Sequence, residues 1–194
     1  MRRFLLLAMV GFSALGEARA ERYLTIAEAQ KLCFPSATRF EEKTLRYTEE
    51  QSRAIEKRSG VRMPTRSNRV WFAHEGEGFA GVLFLDSVIG KHELIDYVVA
   101  ITTNGATRQI EILEYRESHG GEIRGAKWRA QFRGKTGNAP LRLNRDIYNI
   151  SGATMSCRHV TEGVKRVLAT FELVVRPALP ARDGVQHSAE STRD

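Results

Sequence analysis

The chain is poor in cysteine: Cys33 and Cys157 are the only two in 194 residues. So few thiols, so far apart, exclude a disulfide scaffold, and a single bridge between them stays open. There is no Cys-x-x-Cys-His haem motif and no Cys/His cluster at zinc spacing. His74, His92, His119, His159 and His187 are scattered, so no metal site is assigned. The chain also lacks Gly-x-Ser-x-Gly, His-Glu-x-x-His and a Ser/His/Asp triad, which leaves no visible nucleophile or zinc-hydrolase chemistry. It has no internal repeat, and beyond the first twenty residues no apolar run approaches the length of a membrane span. The formal charge is +7, with the charges interspersed. No concentrated basic patch is interleaved with aromatics, so no nucleic-acid partner is expected. An anionic membrane surface, an acidic partner or a plain solvated surface all fit such a balance.

The N-terminus has a pattern of its own. Arg2-Arg3 precedes the apolar run Phe4–Leu15, and Ala18-Arg19-Ala20 fits the small-x-small cleavage rule. This reads as a secretory signal peptide over residues 1–20, cut after Ala20, and places the mature protein in the periplasm.

The rest reads as an α+β domain with a largely antiparallel sheet and flanking helices. Leu24–Leu32 has helical character, with Thr25 and Glu28 as a capping box. Tyr47–Arg58 is helix-prone and closes at Ser59-Gly60. Val70–Ala73, Phe79–Leu85, Ile95–Thr102 and Arg108–Leu113 read as strands. Asn104-Gly105, between the last two, marks a hairpin. Leu113 and Tyr115 break the alternation set by Ile110 and Ile112, which predicts a bulge or a strand end. Glu117–Gly137 is too long for a tight turn, so it is functional or partly helical. Val160, Val164, Val167, Leu168 and Phe171 form one apolar stripe at helical spacing.

The stretch entering that helix, Ile150-Ser151-Gly152-Ala153-Thr154-Met155-Ser156, carries the chemistry. A small, Gly-containing turn brings two hydroxyls to a helix start. Unpaired N–H groups and the positive end of the helix dipole suit a phosphate there. The same residue types also make ordinary helix caps, and local chemistry leaves both readings open.

This segment resembles the attachment motif of the FMN-binding domain family, whose members include flavin-carrying components of the sodium-translocating NADH:quinone reductase and of the related Rnf complex. A second segment agrees in order and spacing. Glu114–Ile123 stands where the family has a Glu-Thr-Pro-Gly-like loop, and Trp128 and Phe132-Arg133-Gly134-Lys135 follow. The likeness covers roughly residues 79–171. Two positions depart from the family. Tyr148 stands six residues before Thr154, where Asp is usual, with Asp146 the nearest acid, and His119 stands where Pro is common.

The resemblance implies an electron-transfer flavoprotein with FMN in phosphoester linkage to Thr154. A flavin transferase would attach it outside the cytoplasm, and a membrane-bound redox protein would exchange electrons with it. Implied cofactor contacts are Ser151, Gly152, Ala153, Thr154, Ser156, Glu117, Ser118, His119, Gly120 and Trp128. Tyr97 and Phe132 are further candidates for ring cover, and Lys127 for a polar contact. A flavin-dependent reductase with its own substrate is a second reading. An exported binding or sensory module, in which the Ser-Gly-Ala-Thr turn is only a cap, is a third. The domain division that follows is a signal peptide over 1–20, an N-terminal helical extension over 21–69, the FMN-binding domain over 70–176 and a disordered tail over 177–194.

Overall fold

The computed structural model describes residues 21–117 and 119–179. The expected signal peptide, Ser118 and the expected tail beyond Leu179 lie outside the described residues. The elements run β1 (Glu21–Arg22), α1 (Ile26–Cys33), β2 (Arg39–Arg46), α2 (Glu49–Ser59), β3 (Ser67–Glu75), β4 (Gly78–Ile89), β5 (Leu94–Thr102), β6 (Thr107–Tyr115), α3 (Ala126–Arg129) and α4 (Thr154–Thr170). The six strands form one sheet in the order β1-β6-β5-β4-β3-β2, antiparallel throughout. This is the α+β architecture expected.

The expected helical extension over 21–69 is corrected by the sheet. Both capping boxes are present, Thr25 with Glu28 on α1 and Thr48 with Gln51 on α2, and Gly60 ends α2 in the left-handed conformation. But β1 and β2 also come from this region and form the two edges of the sheet. β2 reads Arg-Phe-Glu-Glu-Lys-Thr-Leu-Arg and has no fully buried residue. An edge strand needs a hydrogen-bonding neighbour more than an apolar face, and its charges discourage further pairing. No period-2 apolar signal therefore marks it. The expected tail also begins later than residue 177, because Arg176–Ala178 form a 3₁₀ turn and Leu179 packs on the core.

Alternation along the strands splits the apolar residues between two layers. Val82, Phe84, Tyr97, Val99, Ile101 and Ile110 face α4, whose stripe Val160, Val164, Val167 and Leu168 is buried against them. Trp71, Leu83, Val98 and Ala100 face the opposite side, under Ala29, Cys33 and Phe34 of the α1 region. Cys33 and Cys157 therefore lie on opposite sides of the sheet, and both are free, buried thiols. Burial pushes Cys33 up to about 12. The expected bulge is at Leu113: Asp96 pairs with Glu114 and Tyr97 with Ile112, so Leu113 is the extra residue. Its carbonyl accepts the N–H groups of Tyr23 and Leu24 at 2.9 and 3.3 Å.

A buried polar network fixes α4 against the sheet. Asp86 on β4 accepts a bond from Arg166 on α4 at 2.7 Å and another from the Tyr97 hydroxyl. Burial pushes the Asp86 carboxyl up, against the pull of Arg166 and Tyr97. The phenol of Tyr97 is fully buried and raised well above its usual range. It lies over Gly163, where an added Cβ would fall 1.8 Å from the Tyr97 oxygen. Gly163→Ala should destabilise the fold by roughly 1–3 kcal/mol, as overpacking does. The urea midpoint measures this, and the loss should shrink when the same change is made in a Tyr97→Phe background.

Candidate functional site

α4 opens without a side-chain cap. Its N-cap is Ala153, which has no side-chain oxygen, and no cap hydrogen bond forms. Ser151 is exposed, and Thr154 is the first helical residue. The reading of Ser151 or Thr154 as an ordinary cap is thereby corrected, since neither hydroxyl occupies the N-cap position. The Thr154 Oγ1 instead accepts a bond from Asn149 Nδ2 at 2.9 Å. Asn149 Oδ1 is buried and has no hydrogen-bond partner among the described residues.

The Glu117–Gly125 segment is packed directly onto this turn. Gly120 has φ +87, and a Cβ there would fall 2.9 Å from the Ala153 Cβ and 2.7 Å from the Tyr115 oxygen. Only a glycine lets the two backbones meet in that conformation. The Tyr115 hydroxyl donates to the His119 carbonyl and lies 3.2 Å from the Ser156 hydroxyl. Tyr115 thus ties the end of β6, the loop and the first turn of α4 together. Two segments about thirty residues apart in sequence become one surface.

Several expected contacts have supporting roles instead. Ser156 is buried against Tyr115, and Ala153 is buried under Gly120. Trp128, Phe132 and Tyr97 are buried in the core, at 5%, 0% and 0% exposure. They cannot cover a ring bound at the surface. Trp128 and Phe132 stack edge to face at 5.1 Å, and Trp128 donates its indole N–H to the Tyr148 carbonyl at 2.9 Å. The Tyr148 N–H donates to Gln131 Oε1 at 2.6 Å, so the segment leading to Thr154 is held on both sides. The Tyr148 side chain itself is 77% exposed. Asp146 accepts the Arg142 N–H at 2.7 Å, the Leu141 N–H at 3.1 Å and the Lys135 ammonium at 3.2 Å. Partial burial works against its ionisation, but these donors outweigh it and hold its carboxyl below the usual range. Asp146 organises the 141–147 turn and is not a substitute for the acid missing at Tyr148.

A bay of about 740 Å³ opens where the loop meets the turn. Glu117, His119, Gly120, Ser151 and Gly152, all expected contacts, line it together with Tyr23 and Arg124. The Arg124 guanidinium stacks on the Tyr23 ring, 3.9 Å from its centroid. Thr154 lines the adjoining cleft, of about 340 Å³, on the other side of the turn. A Cβ on Gly152 would meet nothing within 4 Å, so the crest between bay and cleft is open. Lys127 is exposed and lines neither the bay nor the cleft. Another cavity, about 780 Å³, lies further along α4 beside His159 and Arg166, and none of the expected site residues lines it. We place the site at the bay and cleft because the chemistry converges there, not by size.

With this geometry in view, comparison with known proteins is decisive at the level of the domain. Residues 90–169 match the FMN-binding domain family. FMN is the cofactor that this domain indicates. Among solved structures, NqrC of Shewanella oneidensis is similar over 74% of this chain and 84% of its own, with a TM-score of 0.51 and 14% identity. That likeness is one of fold. No curated protein matches the chain.

The residues of the matched region fit that cofactor. The bay is within the size range of cofactor pockets, and an uncapped helix start beside a hydroxyl suits a phosphate. The sequence reading missed Asn149, Tyr23 and Arg124. Asn149 is five residues from Thr154, outside any helical or strand spacing. Tyr23 is nearly a hundred residues from the loop it meets, so no local signal marks it.

Glu117 lines the bay, but it acts as a brace. Its Oε1 accepts the N–H groups of His92 at 2.6 Å and Glu93 at 3.0 Å, holding the β4–β5 turn. Burial opposes ionisation, yet the backbone donors of Glu93, His92 and Lys91 keep its carboxyl below the ordinary glutamate value of 4.5. A depressed folded-state value contributes stability above the unfolded value and loses it as pH falls through the folded one. Urea midpoints should therefore drop for the native protein from near 4.5 downward. In Glu117→Gln they should be lower at neutral pH and show a smaller acid-dependent loss.

Proposed function

We propose that this protein is an exported electron-transfer flavoprotein that carries FMN in phosphoester linkage to Thr154. FMN, when bound, supplies one- and two-electron redox chemistry, and the chain's own residues hold and orient it. Thr154 offers the hydroxyl, turned by Asn149. The bare first turn of α4 offers N–H groups and the positive dipole end to the phosphate. The bay lined by Tyr23, Gly120, Arg124 and Ser151 gives the ring a partly apolar seat.

The observation that carries the reading is the first helical turn itself: Thr154 stands where a capping residue would be wasted, yet its hydroxyl is positioned and no cap closes the helix. The signal-like N-terminus supports export to the periplasm, and a covalent link would keep a small cofactor from being lost by dilution there. The partners on this reading are a flavin transferase for maturation and a membrane-bound redox protein for electron exchange. Co-expressed with a flavin transferase, the chain should gain the mass of FMN less one water. Thr154→Ser should gain the same mass, and Thr154→Val none while remaining folded by circular dichroism. A Thr154→Val protein that stays yellow through denaturation would refute the linkage.

A further inference from the structure

Resting on the reading that the FMN phosphate lies at Thr154, we propose that the cleft beside it is a dedicated phosphoryl seat formed by Arg142, Arg158 and Lys165. These three cations and Thr154 line the same 340 Å³ cleft, against the single carboxylate of Glu162. Arg158 and Lys165 come from the same helix as Thr154, and Arg142 from the turn that Asp146 holds rigid. None of the three side chains forms a hydrogen bond or ion pair with another described residue, although salt bridges are frequent elsewhere on the surface. Three cations set against one carboxylate leave a net positive charge in the cleft, and a bound anion offsets it.

The chemistry selects a phosphate monoester or diester. Two arginines give planar, multi-donor recognition of phosphate oxygens, and a lysine adds a mobile charge. The open crest at Gly152 leaves room for a flexible linker between the cleft and the bay. The seat therefore acts through charge alone: it holds the phosphate of FMN beside Thr154 whether or not a covalent bond is made there. This chain, with Tyr148 in place of the usual acid, would hold FMN through charge even where the covalent step is slow.

The test is flavin binding to the chain purified after expression without a flavin transferase, followed by flavin fluorescence. FMN should bind at least about tenfold tighter than riboflavin at low salt, since only FMN carries the phosphate, and the difference should shrink as salt screens it. Inorganic phosphate should displace FMN and leave riboflavin bound. The Arg158→Gln/Lys165→Gln double variant should bring FMN down to riboflavin's affinity, leaving riboflavin binding unchanged and the urea midpoint no lower. Thr154→Val should keep the preference for FMN. Equal affinities for FMN and riboflavin, no FMN binding, or a preference that survives the double variant would each overturn the seat. The covalent linkage is read separately by mass. Reversible, charge-dependent FMN binding without a mass gain would refute the phosphoester and retain the seat. A mass gain with no FMN preference would do the reverse.

Discussion

The buried bridge from Arg166 to Asp86, with the Tyr97 hydroxyl on the same carboxylate, sets where α4 lies on the sheet. A buried charge pair is a weak source of net stability but a strong constraint on alignment, because displacing either partner strands a charge in the core. Gly163 lets the helix approach closely enough for Tyr97 to reach across it. With the helix fixed toward its C-terminal end, its first turn is brought to the end of β6. The Gly120–Ala153 contact, the Tyr115–Ser156 pair and the bay all follow from that position.

The site depends on supporting residues, most of which stand behind its surface. Trp128 and Gln131 hold the carbonyl and N–H of Tyr148, Asp146 and Lys135 hold the preceding turn, and Glu117 holds the hairpin at the loop's other side. The large aromatics of the motif region are core and scaffold. The surface of the bay combines small residues (Gly120, Gly121, Gly125, Ser151 and Gly152) with the larger side chains of Tyr23, Tyr115, Glu117, His119, Glu122 and Arg124.

Much of this was legible locally. The hairpin at Asn104-Gly105, the bulge at Leu113, the capping box at Thr25 and the stripe on α4 are short-range patterns, and each folds as its residues dictate. β2 was not legible, because a charged edge strand has no buried face to imprint a period. Asn149 and Tyr23 were not legible either, because their contacts depend on where distant segments meet.

The sequence by itself determined the motif turn, the helix behind it and the likeness to FMN-binding domains, since these rest on residue types at fixed short spacings. Only the tertiary structure decided which of those residues line an open surface and which are buried. It sent Trp128, Phe132, Tyr97 and Ser156 into the core and turned Glu117 toward the hairpin. It left the first turn of α4 uncapped, and it gathered Arg142, Arg158 and Lys165 around Thr154. The reason is physical: side-chain type is local, but burial and neighbourhood are fixed by packing between segments that the chain order keeps apart.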